Sequence, residues 1–115
     1  MKATSWDSME LERLSDKIAR RMVNGEHTTV ARMSLARGAV VPRHSHVSEQ
    51  FSLILSGELK FFFDDGEAVV RAGEFIYIPS NVPHAAEALA HMEGIDVFSP
   101  RREDWIRKDD AYLRG

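Results

Sequence analysis

Three histidines and a glutamine stand at spacings that suit the ligands of a metal ion. His44 and His46 are separated by one residue, and Gln50 lies four residues beyond His46. Residues at even separations on a strand point to one face, so these three side chains can converge. His84 follows the proline-bounded segment 79–83 and would add a fourth donor from a distant strand. Imidazole and amide donors both coordinate divalent metals, and the pattern therefore predicts a metal site.

Glu49 is the rival to Gln50 as the fourth ligand, since carboxylate is the commoner donor. Its odd separation from His44 turns it to the opposite face, unless a bulge resets the register. We therefore prefer Gln50, although two histidines near a strand start can also be solvent-exposed residues that bind nothing. Three imidazoles and one amide carry no charge, so a divalent ion that they hold keeps its full positive charge. Such a site favours a small anionic substrate over a neutral one.

The last predicted strand carries an acid on an otherwise apolar face. Met92, Gly94, Asp96 and Phe98 alternate along residues 92–98 and share that face. An isolated buried carboxylate is costly, so Asp96 is either an ordinary surface acid or a functional group. If it lies near the metal, burial raises its pKa and the cation lowers it. It can then exchange protons with a substrate.

The composition limits the classes of function. The chain has 115 residues, which suits one domain, and its formal net charge is -3. That balance offers no electrostatic attraction to nucleic acid or to an anionic membrane. Cysteine is absent, so disulfides and thiolate ligands are excluded. No apolar run approaches the roughly 20 residues of a membrane span, and the N-terminal residues do not fit a secretion signal, which predicts a cytoplasmic protein.

Short strands and frequent turn residues predict an all-β fold, a barrel or sandwich with a short C-terminal helix. Asn24-Gly25 is a tight-turn signal. Ser99-Pro100 and the acid pair after it have the order of a helix start. Residues 6–14 favour either one or two helical turns or an extended arm. The predicted strands are 17–23, 28–35, 44–55, 59–63, 68–70, 75–78, 84–89 and 92–98.

The two histidine segments resemble the paired motifs of the cupin superfamily. Residues 38–57 match its first motif from glycine to glycine, with Gln50 where glutamate is usual. Residues 73–84 match the second motif, with Asn81 in place of a glycine, and Ala88 replaces the asparagine that ends it. Asparagine tolerates left-handed backbone better than most residues. The resemblance implies a single cupin β-barrel of the jelly-roll type over residues 1–115, often as a homodimer.

Longer strings are similar to the KdgF family of uronate-linearising cupins. They include residues 38–46, Glu49-Gln50, 78–84 and 96–105. That resemblance implies a metal bound by three histidines and one glutamine, here His44, His46, His84 and Gln50. It also implies an enzyme that converts 4,5-unsaturated monouronates from pectin and alginate into linear keto acids. Asp96, Phe98 and Arg102 would line the active site, with Arg102 gripping the carboxylate of this sugar acid; a surface arginine is the alternative.

The sequence also fits other functions. The chain can be another metal cupin enzyme, such as a dioxygenase or a dimethylsulfoniopropionate lyase, but Ser52 stands where those lyases carry tyrosine. It can also be a non-catalytic module that binds a metal or a sugar acid. Nickel, zinc, iron, manganese and copper all accept this donor set. Residues 51–55 are largely apolar on both strand faces, which favours a homodimer.

Overall fold

The computed structural model describes residues 1–115, and ten strands dominate it. In chain order they are β1 (Glu12–Arg13), β2 (Ile18–Asn24), β3 (Thr29–Leu35), β4 (Val40–His44), β5 (Glu49–Ser56), β6 (Glu58–Phe63), β7 (Gly66–Arg71), β8 (Phe75–Ile78), β9 (His84–Ala88) and β10 (Met92–Ser99). One α-helix, α1 (Glu103–Ile106), and two 3-10 helices, Trp6–Ser8 and Ala111–Leu113, complete the chain. None of these helices has the length and apolar composition needed to cross a lipid bilayer.

The strands form two antiparallel sheets that face one another as a jelly-roll barrel. The six-stranded sheet has the order β1-β2-β3-β10-β5-β8, and the four-stranded sheet has the order β4-β9-β6-β7. Alternate residues of each sheet point inward, as in β3, where Met33 and Leu35 are buried between exposed or half-buried neighbours. They meet Leu59 and Phe61 of β6 in one apolar cluster of 17 residues. The all-β prediction with a short C-terminal helix is confirmed.

The prediction of one continuous strand over residues 44–55 is wrong. The chain leaves the four-stranded sheet after His44, crosses in a loop at residues 45–48, and enters the six-stranded sheet at Glu49. His44, His46 and Gln50 therefore lie on a strand end, a loop and a second strand. They converge because the chain passes from one sheet to the other around the barrel opening, whereas alternation along a single strand had been the predicted reason.

Two motif positions have the backbone that the sequence predicts. Gly57 has φ 81°, and a Cβ there would lie 2.1 Å from the carbonyl oxygen of His91, so only glycine fits. Asn81 has φ 64°, in the left-handed region that asparagine tolerates. Its N–H donates to the carbonyl oxygen of His46 at 2.8 Å. The second motif thus holds the loop of the first in place.

The turns and helix ends differ in detail from the sequence prediction. Asn24 ends β2 and pairs with Thr29, so the connection is a four-residue turn rather than the tight turn predicted at Asn24-Gly25. Ser99 ends β10, and Arg102 takes the position before α1, so Ser99 does not cap this helix. Residues 6–14 contain both predicted alternatives, a 3-10 turn at Trp6–Ser8 and the extended strand β1.

Candidate metal centre

The three predicted histidines meet at one end of the barrel. His44 ends β4 and stands opposite His84, the first residue of β9, while His46 approaches from the loop. Each offers one ring nitrogen to a cluster whose atoms all lie within 4.8 Å of one another. The ring centroids of His44 and His84 are 4.3 Å apart, and those of His46 and His84 are 5.1 Å apart. Such a cluster can hold a metal ion.

Hydrogen bonds to the backbone orient all three rings in the same way. Each Nδ1 lies 2.8 Å from a main-chain carbonyl oxygen two residues away along the chain. The acceptors are the carbonyl groups of Pro42, Ser48 and Val82. Since a carbonyl only accepts, each Nδ1 carries the proton and each Nε2 keeps its lone pair. Three lone pairs therefore point inward, which is the arrangement that a metal requires.

The histidines are held in their neutral form. Desolvation lowers the pKa of His44 and of His46 to about 4, and it lowers the pKa of His84 as well. The backbone hydrogen bonds oppose this shift, while the positive charge of Arg102 adds to it. Neutral imidazole is the form that coordinates metals. At neutral pH these three side chains need no deprotonation before they bind an ion.

Gln50 provides the best sign that the donor set fits a cation. Its side chain is buried, its Nε2 donates to the Ser52 hydroxyl at 2.9 Å, and its Oε1 lies 3.1 Å from Nε2 of His46. With Nδ1 of His46 protonated, two acceptors face each other across this gap. Such a contact is repulsive unless a cation accepts both lone pairs. Glu49 is exposed on the opposite face of β5, where it accepts a hydrogen bond from Tyr77.

Asp96 is connected to this cluster through a hydrogen-bonded chain. The Ser52 hydroxyl donates to Asp96 at 2.7 Å and accepts from Gln50. Asp96 is half-buried and lines the cavity below the histidines, on the inner face of β10 that also carries Phe98. Desolvation raises the pKa of Asp96 to about 6, although the Ser52 bond and nearby Arg102 oppose the shift. A carboxyl with such a pKa gains and loses protons near neutral pH.

Arg102 lies beside the cavity but is already engaged. It is 2% exposed, and its Nε and Nη2 donate to the two oxygens of Asp104 at 3.0 and 2.8 Å. Its guanidinium stacks on the rings of Phe98 and Trp105, at 4.7 and 4.3 Å from their centroids. Nη1 has no partner within the chain. The sequence predicts that the Arg102 guanidinium binds a substrate carboxylate. In the structure only its Nη1 group remains free to donate to such a carboxylate.

Two aromatic residues of the C-terminal segment were missed by the sequence analysis. Trp105 and Tyr112 line the same cavity as His44 and Asp96, and Tyr112 stacks on the His44 ring at 4.6 Å. Their only sequence signal was a short predicted helix, and the return of the chain to the barrel mouth had no local signature. The cavity measures about 50 Å³. A single water needs about 10–15 Å³ on this scale, so the inner part of the cavity is small.

Comparison with known proteins identifies the family. The cupin domain profile matches residues 31–98, more than half of the chain. This protein is a cupin. Residues 31–98 of this cupin contain the three histidines, Gln50 and Asp96, whereas Arg102, Trp105 and Tyr112 lie beyond the match.

Several proteins of known sequence or structure are similar to this cupin. An uncharacterized protein of Methanocaldococcus jannaschii is 31% identical over 67 residues, which are 57% of this chain and 58% of that protein. The aligned region thus spans little more than half of that relative. An RmlC-like cupin from Shewanella frigidimarina superposes with a TM-score of 0.82 at 27% identity, over 89% of this chain and 93% of that one.

Two further solved structures share the fold. KdgF from Halomonas sp. superposes with a TM-score of 0.79 at 24% identity, over 86% of this chain and 94% of that one. Oxalate decarboxylase of Bacillus subtilis, a protein with Mn(II) centres, gives a TM-score of 0.75 at 24% identity, over 84% of this chain and 29% of that one. This cupin therefore shares its fold with both proteins.

Proposed function

We propose that this cupin is a metal-dependent enzyme that converts 4,5-unsaturated monouronates into linear keto acids. Residues 1–115 would act as one domain, with the metal held by His44, His46, Gln50 and His84. The carrying observation is the hydrogen-bonded chain from Gln50 through Ser52 to Asp96. It links a ligand set for a cation to a carboxyl group that exchanges protons near neutral pH.

The charge of the site supports an anionic substrate. The four proposed ligands are neutral, so a divalent ion retains its full charge. Arg102 adds a second positive charge beside the cavity, which its ion pair with Asp104 offsets in part. Asp96 is the one acid among the cavity-lining residues, and its raised pKa leaves it partly protonated near pH 6. A sugar acid matches this balance better than a neutral sugar.

The proposed reaction rearranges atoms without gaining or losing any. Breaking the bond between the anomeric carbon and the ring oxygen gives an aldehyde and an enol, and the enol then becomes a ketone. In the first step the proton of the anomeric hydroxyl leaves and the ring oxygen gains a proton. The second step removes the proton of the enol oxygen and adds a proton to the far carbon of the C=C bond. Asp96 can accept the first proton and return one to carbon, since its carboxyl is poised between both states. A bound divalent ion would stabilise negative charge that develops on the substrate oxygens.

Arg102 and Phe98 would orient the substrate for this transfer. The free Nη1 of Arg102 can donate a charge-assisted hydrogen bond to one oxygen of the substrate carboxylate. Asp104 fixes the opposite edge of the guanidinium, and Phe98 supports its flat face. A donor held in this way loses little conformational freedom when the substrate binds.

The decisive experiment follows the ring alkene of an unsaturated monouronate by its ultraviolet absorbance. The protein is stripped of metal and reloaded separately with nickel, zinc, iron, manganese or copper. We expect at least one metal to accelerate loss of the alkene well above the spontaneous rate. Asp96→Asn, which keeps the acceptor for Ser52, should bind the same metal and lose about a hundredfold or more in rate.

The controls separate this activity from a binding role. Glu49→Gln changes a carboxylate on the outer face of β5 and should react like the unaltered protein. No acceleration with any metal would contradict the enzyme proposal. Tight binding of a monouronate in the same samples would then favour the alternative of a non-catalytic sugar-acid binding cupin.

We also propose that this cupin is a homodimer. The outer face of the six-stranded sheet exposes five apolar or aromatic side chains on neighbouring strands: Phe51, Leu53, Leu55, Phe75 and Tyr77. β8 is the edge strand there, so a second copy can cover the patch and protect the edge. The cytoplasmic location stays a prediction from the sequence.

A further inference from the structure

Tyr112 connects the cavity wall to two of the proposed functional residues. It lies in the 3-10 helix Ala111–Leu113 and lines the cavity beside His44. It is outside both cupin motifs and outside the region that the family profile matches.

The hydroxyl group of Tyr112 has a proton to donate. Its oxygen accepts hydrogen bonds from Nη2 of Arg102 at 2.8 Å and from Nε1 of Trp105 at 3.1 Å. A phenol oxygen accepts through its lone pairs and donates one proton. No side chain or main-chain group accepts that proton. Because two donors occupy the acceptor positions and the residue lines the cavity, a ligand oxygen in the cavity is the natural acceptor.

Arg102 strengthens this assignment. Its Nη2 is bonded to Tyr112, and its neighbouring Nη1 has no partner in the chain. The hydroxyl of Tyr112 and Nη1 of Arg102 are thus two donors without partners, on side chains that are hydrogen-bonded to each other. An arrangement of this kind recognises an oxyanion, since carboxylate oxygens accept several hydrogen bonds at once.

The ring of Tyr112 acts on the metal site from the other side. It stacks on the imidazole of His44 at 4.6 Å between centroids, with an angle of 29° between the planes. His44 is less buried than His84, which is 3% exposed. The stacked ring keeps His44 in the plane that its Nδ1 bond to Pro42 also requires. Tyr112 thereby restricts the direction of the His44 lone pair.

The barrel itself sets the position of Tyr112. Asp110, two residues earlier, is fully buried. It accepts a hydrogen bond at 2.5 Å from Nη2 of Arg20, which is also fully buried. Arg114, two residues later, bonds Asp110 at 2.7 Å and reaches Glu12 at 3.5 Å. These ion pairs anchor both sides of the 3-10 helix to β1 and β2. Tyr112 is consequently presented to the cavity by a fixed support.

We propose that Tyr112 is a ligand-binding residue of this cupin: its hydroxyl donates to an oxyanion bound beside Arg102, and its ring positions His44 for the metal. The oxyanion is the carboxylate of a sugar acid, a part of the inference that rests on the proposed function.

Two variants separate the hydroxyl from the ring. Tyr112→Phe keeps the stacked ring and removes the donor, whereas Tyr112→Leu removes both. Tyr77→Phe is the matched control, since its hydroxyl bonds Glu49 on the outer face. Zinc affinity is measured by competition with a chromophoric chelator. Binding of galacturonate, a stable saturated monouronate, to the zinc-loaded protein is measured by calorimetry.

Loss of one hydrogen bond should weaken galacturonate binding to Tyr112→Phe by about five- to tenfold, with zinc affinity unchanged. Tyr112→Leu should weaken both galacturonate and zinc binding, and Tyr77→Phe neither. Unchanged galacturonate affinity in Tyr112→Phe would refute the donor role of the hydroxyl. Unchanged zinc affinity in Tyr112→Leu would refute the role of the ring in positioning His44.

The same data distinguish this inference from the proposed reaction. Galacturonate binding that depends on Tyr112, without turnover of the unsaturated substrate, would support the inference and contradict only the reaction. No galacturonate binding by the unaltered protein would contradict both the substrate class and the donor role. Thermal unfolding of the metal-free variants checks that each is folded, and Tyr112→Phe carries the donor test if Tyr112→Leu is unstable.

Discussion

Each proposed ligand in this site has two polar side-chain atoms. The hydrogen bond of one atom fixes the direction in which the other atom points. Each histidine presents Nε2 because its Nδ1–H donates a hydrogen bond to a backbone carbonyl oxygen. Gln50 presents its oxygen because its Nε2 donates a hydrogen bond to the Ser52 hydroxyl. Ser52 in turn donates to Asp96. The chemistry of the site therefore depends on these partners as much as on the ligands.

Replacing Gln50 by glutamate tests the neutral donor set. Gln50→Glu places a charge on the ion and should strengthen zinc binding while weakening galacturonate binding by about tenfold, because half of the ion's charge is offset. Zinc competition and calorimetry measure the two effects. Glu49→Gln should alter neither, and an undiminished galacturonate affinity in Gln50→Glu would contradict the electrostatic argument.

Asp96 should make the stability of the metal-free protein depend on pH. Its pKa is raised from 3.8 to about 6, so the folded state holds its proton more tightly than the unfolded state. That contribution is complete below about pH 4 and is lost as the pH rises through about 6. Asp96→Asn should therefore stabilise the metal-free protein at about pH 8 by about 1–3 kcal/mol, and hardly at all at about pH 4.

Urea unfolding of the chelator-treated protein at both pH values measures this difference. A stabilisation of Asp96→Asn that is equal at the two pH values would show that the carboxyl is not raised in pKa. Asp109→Asn, which removes an exposed carboxylate outside the cavity, serves as the matched control.

At the scale of elements, strand β2 and the C-terminal segment after β10 pack against each other at the barrel mouth. Trp105 is sandwiched between Arg20 of β2 and Arg102, whose guanidinium carbons lie 4.4 and 4.3 Å from its ring centroid. The buried pair of Arg20 and Asp110 fastens the residues after α1 to the same strand. A helix of four residues has little stability by itself, so these tertiary contacts hold the segment.

Breaking the buried ion pair should release this segment. Asp110→Asn leaves the buried Arg20 with Glu12 as its remaining carboxylate partner, and the loss of one partner of a buried polar group typically costs about 1–3 kcal/mol. We expect a lower free energy of unfolding in urea and faster amide exchange after residue 106. Asp109→Asn is again the neighbouring control, and a wild-type stability of Asp110→Asn would argue against the anchoring role.

At the scale of the whole molecule, the two sheets have different outer surfaces. The six-stranded sheet exposes its apolar side chains next to the edge strand β8, where Phe75 is 68% exposed. The candidate metal ligands line the cavity at one end of the barrel, whereas the apolar side chains lie on the outer face of the sheet. A dimer formed there would leave the cavity of each copy to act separately.

An arginine in the apolar patch should abolish the proposed dimer. Phe75→Arg places a charge where a second copy would cover it, so light scattering should report a mass near that of one chain, 13.0 kDa. Val40→Arg alters a side chain that is 57% exposed on the other sheet and should leave the mass unchanged. A single-chain mass for the unaltered protein would contradict the dimer proposal.

The sequence by itself determined the strand content, the glycine positions and the identity of the metal-ligand candidates. These depend on local chemistry: Gly57 allows a close backbone approach, Asn81 accepts a left-handed backbone, and histidine suits divalent metals. Alternation within β5 also separated Gln50 from Glu49, because neighbouring residues on a strand face opposite sides.

Only the tertiary structure decided how these residues meet. His44 and Gln50 lie in different sheets, and their approach follows from barrel closure, which no local pattern encodes. The engagement of Arg102 by Asp104 and the stacking of Tyr112 on His44 likewise follow from the return of the C-terminal segment to the barrel. The physical reason is that burial and long-range contacts, which set the pKa of Asp96 and the free donors of the cavity, exist only after the chain has folded.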